Sequence, residues 1–88
     1  MPNGERVEWV LRSIPLWLLQ EYLKDLGGKV VRDGVVEGPG WKARMEKLED
    51  FKLGSIRVGQ LRLELEGEAQ AMQELLPALE KKLMRAGA

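Results

Sequence analysis

Between Ile56 and Ala86 the chain changes its hydrophobic period once. Leu61, Leu63 and Leu65 alternate with Arg62, Glu64 and Glu66, which is the period of two of a half-buried strand. After Gly67, Ala69, Met72, Leu75, Leu76, Leu79 and Leu83 recur at helical spacing and share one face. A strand with one leucine face running into a helix with one leucine face predicts a two-layer α+β core. Pro77 lies inside that helix, where proline costs about 3 kcal/mol against alanine. On a helical wheel it sits opposite the leucines, on the convex side where hydrogen bonds are already longer. One bent helix is expected rather than two.

Upstream, Val7, Trp9 and Leu11 alternate with Arg6, Glu8, Val10 and Arg12, so Glu5 to Arg12 reads as a first strand. Residues 1–4 carry no periodicity and are expected to be disordered, leaving 5–88 as a single domain. Ser13-Ile14-Pro15 stops the strand and opens a helix, since serine is a preferred N-cap and proline fits the first turn. The helix runs through LWLLQEYLKDL to Gly27-Gly28, where glycine can adopt the left-handed C-terminal conformation. Leu16, Leu19, Tyr22, Leu23 and Leu26 form its apolar arc. Trp17 falls on the other side, among Gln20, Glu21, Lys24 and Asp25. Either it folds down over a neighbouring loop, as first-turn side chains lean backwards, or it anchors an interface, where tryptophan is enriched. Trp9, Leu19, Leu23, Leu63, Leu65, Leu76, Leu79 and Leu83 are expected to be buried together.

From Lys29 to Glu66 the pattern is that of strands. Lys29–Arg32 and Val35-Val36 flank Asp33-Gly34, a two-residue turn signal, and Gly38-Pro39-Gly40 is a second turn. Trp41, Ala43 and Met45 alternate with Lys42, Arg44 and Glu46. Leu48, Phe51 and Leu53 keep no single register. Ile56 and Val58 are even-numbered while Leu61, Leu63 and Leu65 are odd, so a reset is expected near Gly59-Gln60. A two-residue turn there would pair Val58 with Leu61 and Ile56 with Leu63. A bulge in one continuous strand would serve as well. The hairpin is the slightly preferred reading.

Composition narrows the function classes. The 88 residues carry 14 basic and 14 acidic side chains, a formal net charge of zero, which removes the basic footprint expected of a nucleic-acid binder. No apolar run approaches the roughly 20 residues of a membrane span, and the start MPNGERVEW lacks the apolar core of a signal peptide. No membrane association and a cytoplasmic location are the expectations. Cysteine, histidine and threonine are missing altogether. A zinc site of the common kind, a thiolate nucleophile and a histidine-based triad therefore cannot be built, and no metal, cofactor or catalytic residue is expected. A Glu/Lys/Arg-rich chain poor in Asn and Cys is also the composition reported for thermophiles.

No phosphate-binding fingerprint is present, because Gly27-Gly28 and Gly38-Pro39-Gly40 lack the strand–glycine–helix order it requires. The carboxylates Glu46, Glu49, Asp50, Glu64, Glu66 and Glu68 read as a solvated face rather than as acid–base pairs. The one cluster above background is basic. Under the hairpin reading Arg57 and Arg62 oppose each other on the face away from the leucines, with Lys42 and Arg44 projecting from the neighbouring segment. Such a group could clamp a carboxylate or phosphate. The competing reading is that Glu46 and Glu64 neutralise it diagonally.

The runs WVLRSIPLWLLQEYLKDLGG, VEGPGW and GSIRVGQLRLELEG, leading into LLPALEKKLMRAG, resemble a small domain of thermophilic bacteria. That domain is similar to the C-terminal domain of proteins related to the small subunit of molybdopterin synthase, where it follows a ubiquitin-like sulfur carrier. The resemblance implies a β-α-β4-α arrangement in which a curved antiparallel sheet packs on a long C-terminal helix, as in the TBP-like fold. The chain closes on Gly87-Ala88 and not on a Gly-Gly tail, so carrier activity itself is not expected. What the resemblance implies instead is a non-catalytic binding domain accessory to molybdenum-cofactor or sulfur-transfer metabolism. Besides a protein partner, a homodimer with Trp17 or a sheet edge at the contact is expected separately, from that tryptophan among polar residues, the edge strands an antiparallel sheet leaves and the zero net charge. The alternative is a small-ligand domain or enzyme that uses the concave sheet or the Arg57/Arg62 face.

Overall fold

The computed structural model describes residues 4–85. The element order is β1 (Gly4–Arg12), α1 (Leu16–Asp25), β2 (Lys29–Arg32), β3 (Val35–Gly38), β4 (Trp41–Leu53), β5 (Ile56–Glu68) and α2 (Ala69–Arg85). The five strands form one antiparallel sheet in the order β1-β5-β4-β3-β2. The β-α-β4-α arrangement expected from the sequence is the one observed, and α2 packs on the sheet.

Both helices lie on one face of the sheet and bury a single apolar layer. Leu61, Leu63 and Leu65 of β5 and Trp41, Ala43 and Met45 of β4 supply its floor, and Leu19, Leu23, Met72, Leu75, Leu79 and Leu83 its roof. Of the expected core, Leu19, Leu23, Leu63, Leu65, Leu79 and Leu83 are buried, whereas Trp9 and Leu76 are only partly so. The reason is position: β1 is an edge strand, so Trp9 has a neighbour on one side only.

Local chemistry explains the boundaries. α1 ends in a glycine cap: Gly27, at φ +100°, donates its N–H to Lys24 O at 3.0 Å, and Gly28 donates to Leu23 O at 2.9 Å. These are the paired closing bonds of a Schellman motif. At the other end the expected serine cap is not made. Pro15 is the N-cap, with no side-chain capping bond. Ser13 remains tied to the sheet, its N–H donating to Gly59 O at 3.0 Å, and its φ of 65° turns the chain out towards α1. α2 is one helix across Pro77, which faces solvent. The expected disorder of residues 1–4 concerns, for 1–3, residues outside those described; Gly4 opens β1, opposite Glu68.

The largest departure is at Gly59-Gln60. There is no turn there: β5 runs unbroken from Ile56 to Glu68, and the hairpin turns at Gly54-Ser55, with Leu53 opposite Ile56 and Gly54 at φ 62°. The bulge lies in the partner strand. Leu48 pairs with Gln60 and Phe51 with Val58, so Glu49 and Asp50 together oppose Gly59. That extra residue moves the odd-numbered Phe51 and Leu53 to the face of the even-numbered Leu48, Val58 and Ile56. No reset occurs in β5, and Ile56 and Val58 point away from the leucine core.

Leu79 has no exposed surface and sits at the centre of the α2 face. Leu79→Ala is expected to cost about 2–5 kcal/mol in urea or guanidinium melts. A loss below about half a kcal/mol would show that this face is not packed as described.

Candidate functional site

Two surfaces are built by this fold beyond the packed core. The first is an arm. β1 pairs with β5 only as far as Gln60, and β3 pairs with β4 only at Trp41–Arg44. The rest of the β4–β5 hairpin projects alone, and the molecule measures 47 × 25 × 24 Å. No side chain from Glu46 to Gln60 is buried. Leu53 and Ile56 at its end are 64% and 61% exposed.

At the base of the arm, a groove of about 460 Å³ opens on the helix side, lined mainly by Ile14, Leu16, Trp17, Lys47, Gly59 and Leu61. Trp17 is 63% exposed along its wall. Gly59 leaves the floor open, since a Cβ placed there would meet nothing within 4 Å. The exposed tryptophan that the helical wheel sets among polar residues thus stands over the groove between the start of α1 and the arm. On the opposite face, Arg12 lies over the Phe51 ring with 3.8 Å between its guanidinium carbon and the ring centroid. Its Nε also donates to Gln60 Oε1 at 3.1 Å.

The second surface is the outer face of the sheet. Arg62 is at its centre, 3.1 Å from Glu8 and 2.8 Å from Glu46, while Arg6 is 3.3 Å from Glu64. Lys42 is 3.7 Å from Glu37, and Arg44 stands across from Glu64 in the ladder. The four basic residues singled out from the sequence are therefore not brought together. Arg57 is opposite Lys52 near the arm's end and belongs to the same side of β5 as the leucines, whereas Arg62 belongs to the other. The expected Arg57–Arg62 pairing depended on a turn at Gly59-Gln60 and goes with it. Lys42, Arg44 and Arg62 do share the outer face. Arg32, which sequence reasoning passed over, joins them: Arg32, Arg44 and Arg62 line a hollow of about 360 Å³ that also contains Asp33, Glu46 and Glu64. No periodicity signals Arg32, because it enters this group through the β2–β3 turn.

The family model described as archaeal MoaD-like protein matches residues 7–88 of the chain. No curated protein matches it.

The outer-face ion pairs are partly to largely exposed, so solvent screens them. Arg62→Met is expected to cost less than about 1 kcal/mol in denaturant melts, against the several lost at Leu79. A larger loss would mean that the Glu8–Arg62–Glu46 cluster organises the sheet instead of decorating it.

Proposed function

The chain belongs to the archaeal MoaD-like protein family, and on that premise we propose that it is a small non-catalytic interaction domain. In this reading it docks a partner protein in the cytoplasm and serves molybdenum-cofactor or sulfur-transfer metabolism. The observation that carries the reading is the exposure of Trp17 on the wall of the apolar groove at the base of the arm. An apolar groove open to water is typical of a surface that meets a partner, and tryptophan is enriched among the residues that dominate binding energy. The residue types on offer agree with this, since a sequence without cysteine or histidine lacks the usual nucleophile and proton shuttle.

The partner this reading favours is a ubiquitin-like sulfur carrier of the kind that precedes the resembling domains in longer proteins. Domains joined in one chain meet at high effective concentration, so even a weak contact between them is useful. Self-association as a homodimer is the second part of the proposal. Zero formal net charge leaves no long-range repulsion between copies.

A second reading, anion binding on the outer face, is favoured by one observation. Arg32 and Arg44 line the same hollow, and neither makes an ion pair among the described residues. Arg62 lines the hollow too but is engaged by Glu8 and Glu46, Lys42 would add charge at its margin, and Arg57 would contribute nothing.

Titrating a ubiquitin-like carrier domain into the chain by calorimetry is expected to give a 1:1 complex. Trp17→Glu should weaken it at least tenfold, about 1.4 kcal/mol. Absence of any complex at high carrier concentration would remove the docking reading. For the anion reading, phosphate should raise the melting temperature beyond the general salt effect, and Arg44→Ala should abolish that excess. An equal rise in the variant would exclude the hollow.

A further inference from the structure

Among the described residues the sheet leaves three backbone stretches open: the outer edges of β1 and β2, and the sides of the arm. Two of these are blunted. β2 is four residues long and slips register against β3 between Val30 and Arg32. The arm carries the Glu49–Asp50 bulge together with Lys47 and Lys52. Short length, bulges and lysines are the devices that keep sheet edges from pairing with other chains. β1 is neither short nor bulged, and its charges (Glu5, Arg6, Glu8 and Arg12) are of both signs, so a second copy can meet them in opposition. Its nine residues, GERVEWVLR, run in unbroken register against β5 and contain no lysine and no proline.

One bond shows which groups of β1 are open. Ser13 N–H donates to Gly59 O, continuing the register in which Arg12 faces Gln60. Bonded and non-bonded pairs alternate along an antiparallel ladder. The odd residues Val7, Trp9 and Leu11 therefore bond to β5. The even residues Arg6, Glu8, Val10 and Arg12 turn N–H and C=O to the open edge.

We propose that this edge receives a second copy of the chain, the two β1 strands pairing antiparallel about a two-fold axis at Val10 to make one ten-stranded sheet. The inference deepens the self-association proposed above and rests on it. Side-chain complementarity selects the register, since like charges directly opposite destabilise a strand pair and opposite charges or apolar pairs stabilise it. A centre at Glu8 sets that carboxylate against its own copy. A centre at Trp9 sets Arg6 against Arg12; one at Val7 opposes Arg6 and Glu8 but sets Gly4 and the charged Glu5 against the apolar Val10 and Trp9. A centre at Val10 alone places Glu8 opposite Arg12 on both sides of the axis, Val10 opposite Val10, and Trp9 opposite Leu11.

That register also covers what the monomer leaves bare. Val10, 54% exposed, would meet its symmetry mate, and the half-buried Trp9 and Leu11 would gain an apolar neighbour on their open side. Glu8 and Arg12 are already held on the outer face, by Arg62 and by the Phe51 ring. The axis is perpendicular to the sheet, so both α2 helices fall on one side of the new strand pair. α1 approaches α2 through Lys82, which binds Asp25 at 3.3 Å. Leu76 and Met84 lie on the other flank, towards the axis, and Met84 is 77% exposed.

Sedimentation equilibrium of the full chain, from low micromolar to near-millimolar concentration, is expected to approach twice the 10.0 kDa of one copy. Glu8→Lys, which sets like charges across the axis, should weaken the dimer roughly tenfold or more. Combining it with Arg12→Glu restores opposite charges across the Val10 axis and should bring the affinity back, whereas pairing about Val7 would leave the introduced lysine against Arg6 and stay weak. Should Glu8→Lys not fold, amide hydrogen exchange on the unaltered chain decides: Glu8, Val10 and Arg12 should slow as concentration rises. A dimer that ignores Glu8→Lys, or whose Val10 and Arg12 amides stay fast, overturns this surface and leaves self-association standing. A single 10.0 kDa species at every concentration removes both.

Discussion

The structure depends on the leucine face of β5 being covered from both sides at once. Leu63 and Leu65 have no exposed surface, and Leu61 almost none. β5 is flanked by β1 and β4 in the ladder, and α2 follows it directly and folds back over it. In a domain of this size the apolar area is barely sufficient for a core, and the buried cluster forms this one layer. α1 adds Leu19 and Leu23 to the same layer from the side of β2–β4. No second layer covers the other face of the sheet, where Val10, Leu53 and Ile56 stay exposed.

That one-sidedness makes the outer face and the arm what they are. With no second layer, the outer face is a lattice of opposed charges, Glu8–Arg62–Glu46 and Arg6–Glu64, which solves solubility rather than stability. The arm extends past the helices because β4 and β5 are each thirteen residues long, while β1 pairs with β5 only to Gln60. Beyond Gly59, which accepts a last bond from Ser13, its backbone ladder joins only β4 and β5. The bulge opposite Gly59 then turns Phe51 and Leu53 to the side of Val58 and Ile56, giving the arm one apolar side and one polar side.

The candidate binding surfaces follow from the same economy. Trp17 begins the helix just where the arm leaves the layered body, so its ring stands beside a groove instead of over a core. β1 lies at the sheet's edge because its one strand neighbour is β5, which is itself taken up between β1 and β4. Its open groups are a consequence of topology, and its sequence does little to conceal them.

Much of this was legible in the order of residues. Alternation at Leu61–Leu65 and Trp41–Met45, and the helical spacing of Met72, Leu75, Leu79 and Leu83, report which face is buried, because burial on one side imposes a period of two or 3.6. Gly27-Gly28 and Asp33-Gly34 mark a helix end and a turn for equally local reasons. The hairpin turn and the basic cluster were not legible. Leu48 and Phe51 differ in parity, and so do Val58 and Leu61, and sequence alone offers no way to tell a parity change made by a bulge in one strand from one made by a turn in the other. Only pairing decides it: Leu53 meets Ile56 at Gly54-Ser55, and Arg57 is thereby carried to the opposite side of the sheet from Arg62. Faces are local properties of a strand, whereas neighbours are set by the register between strands.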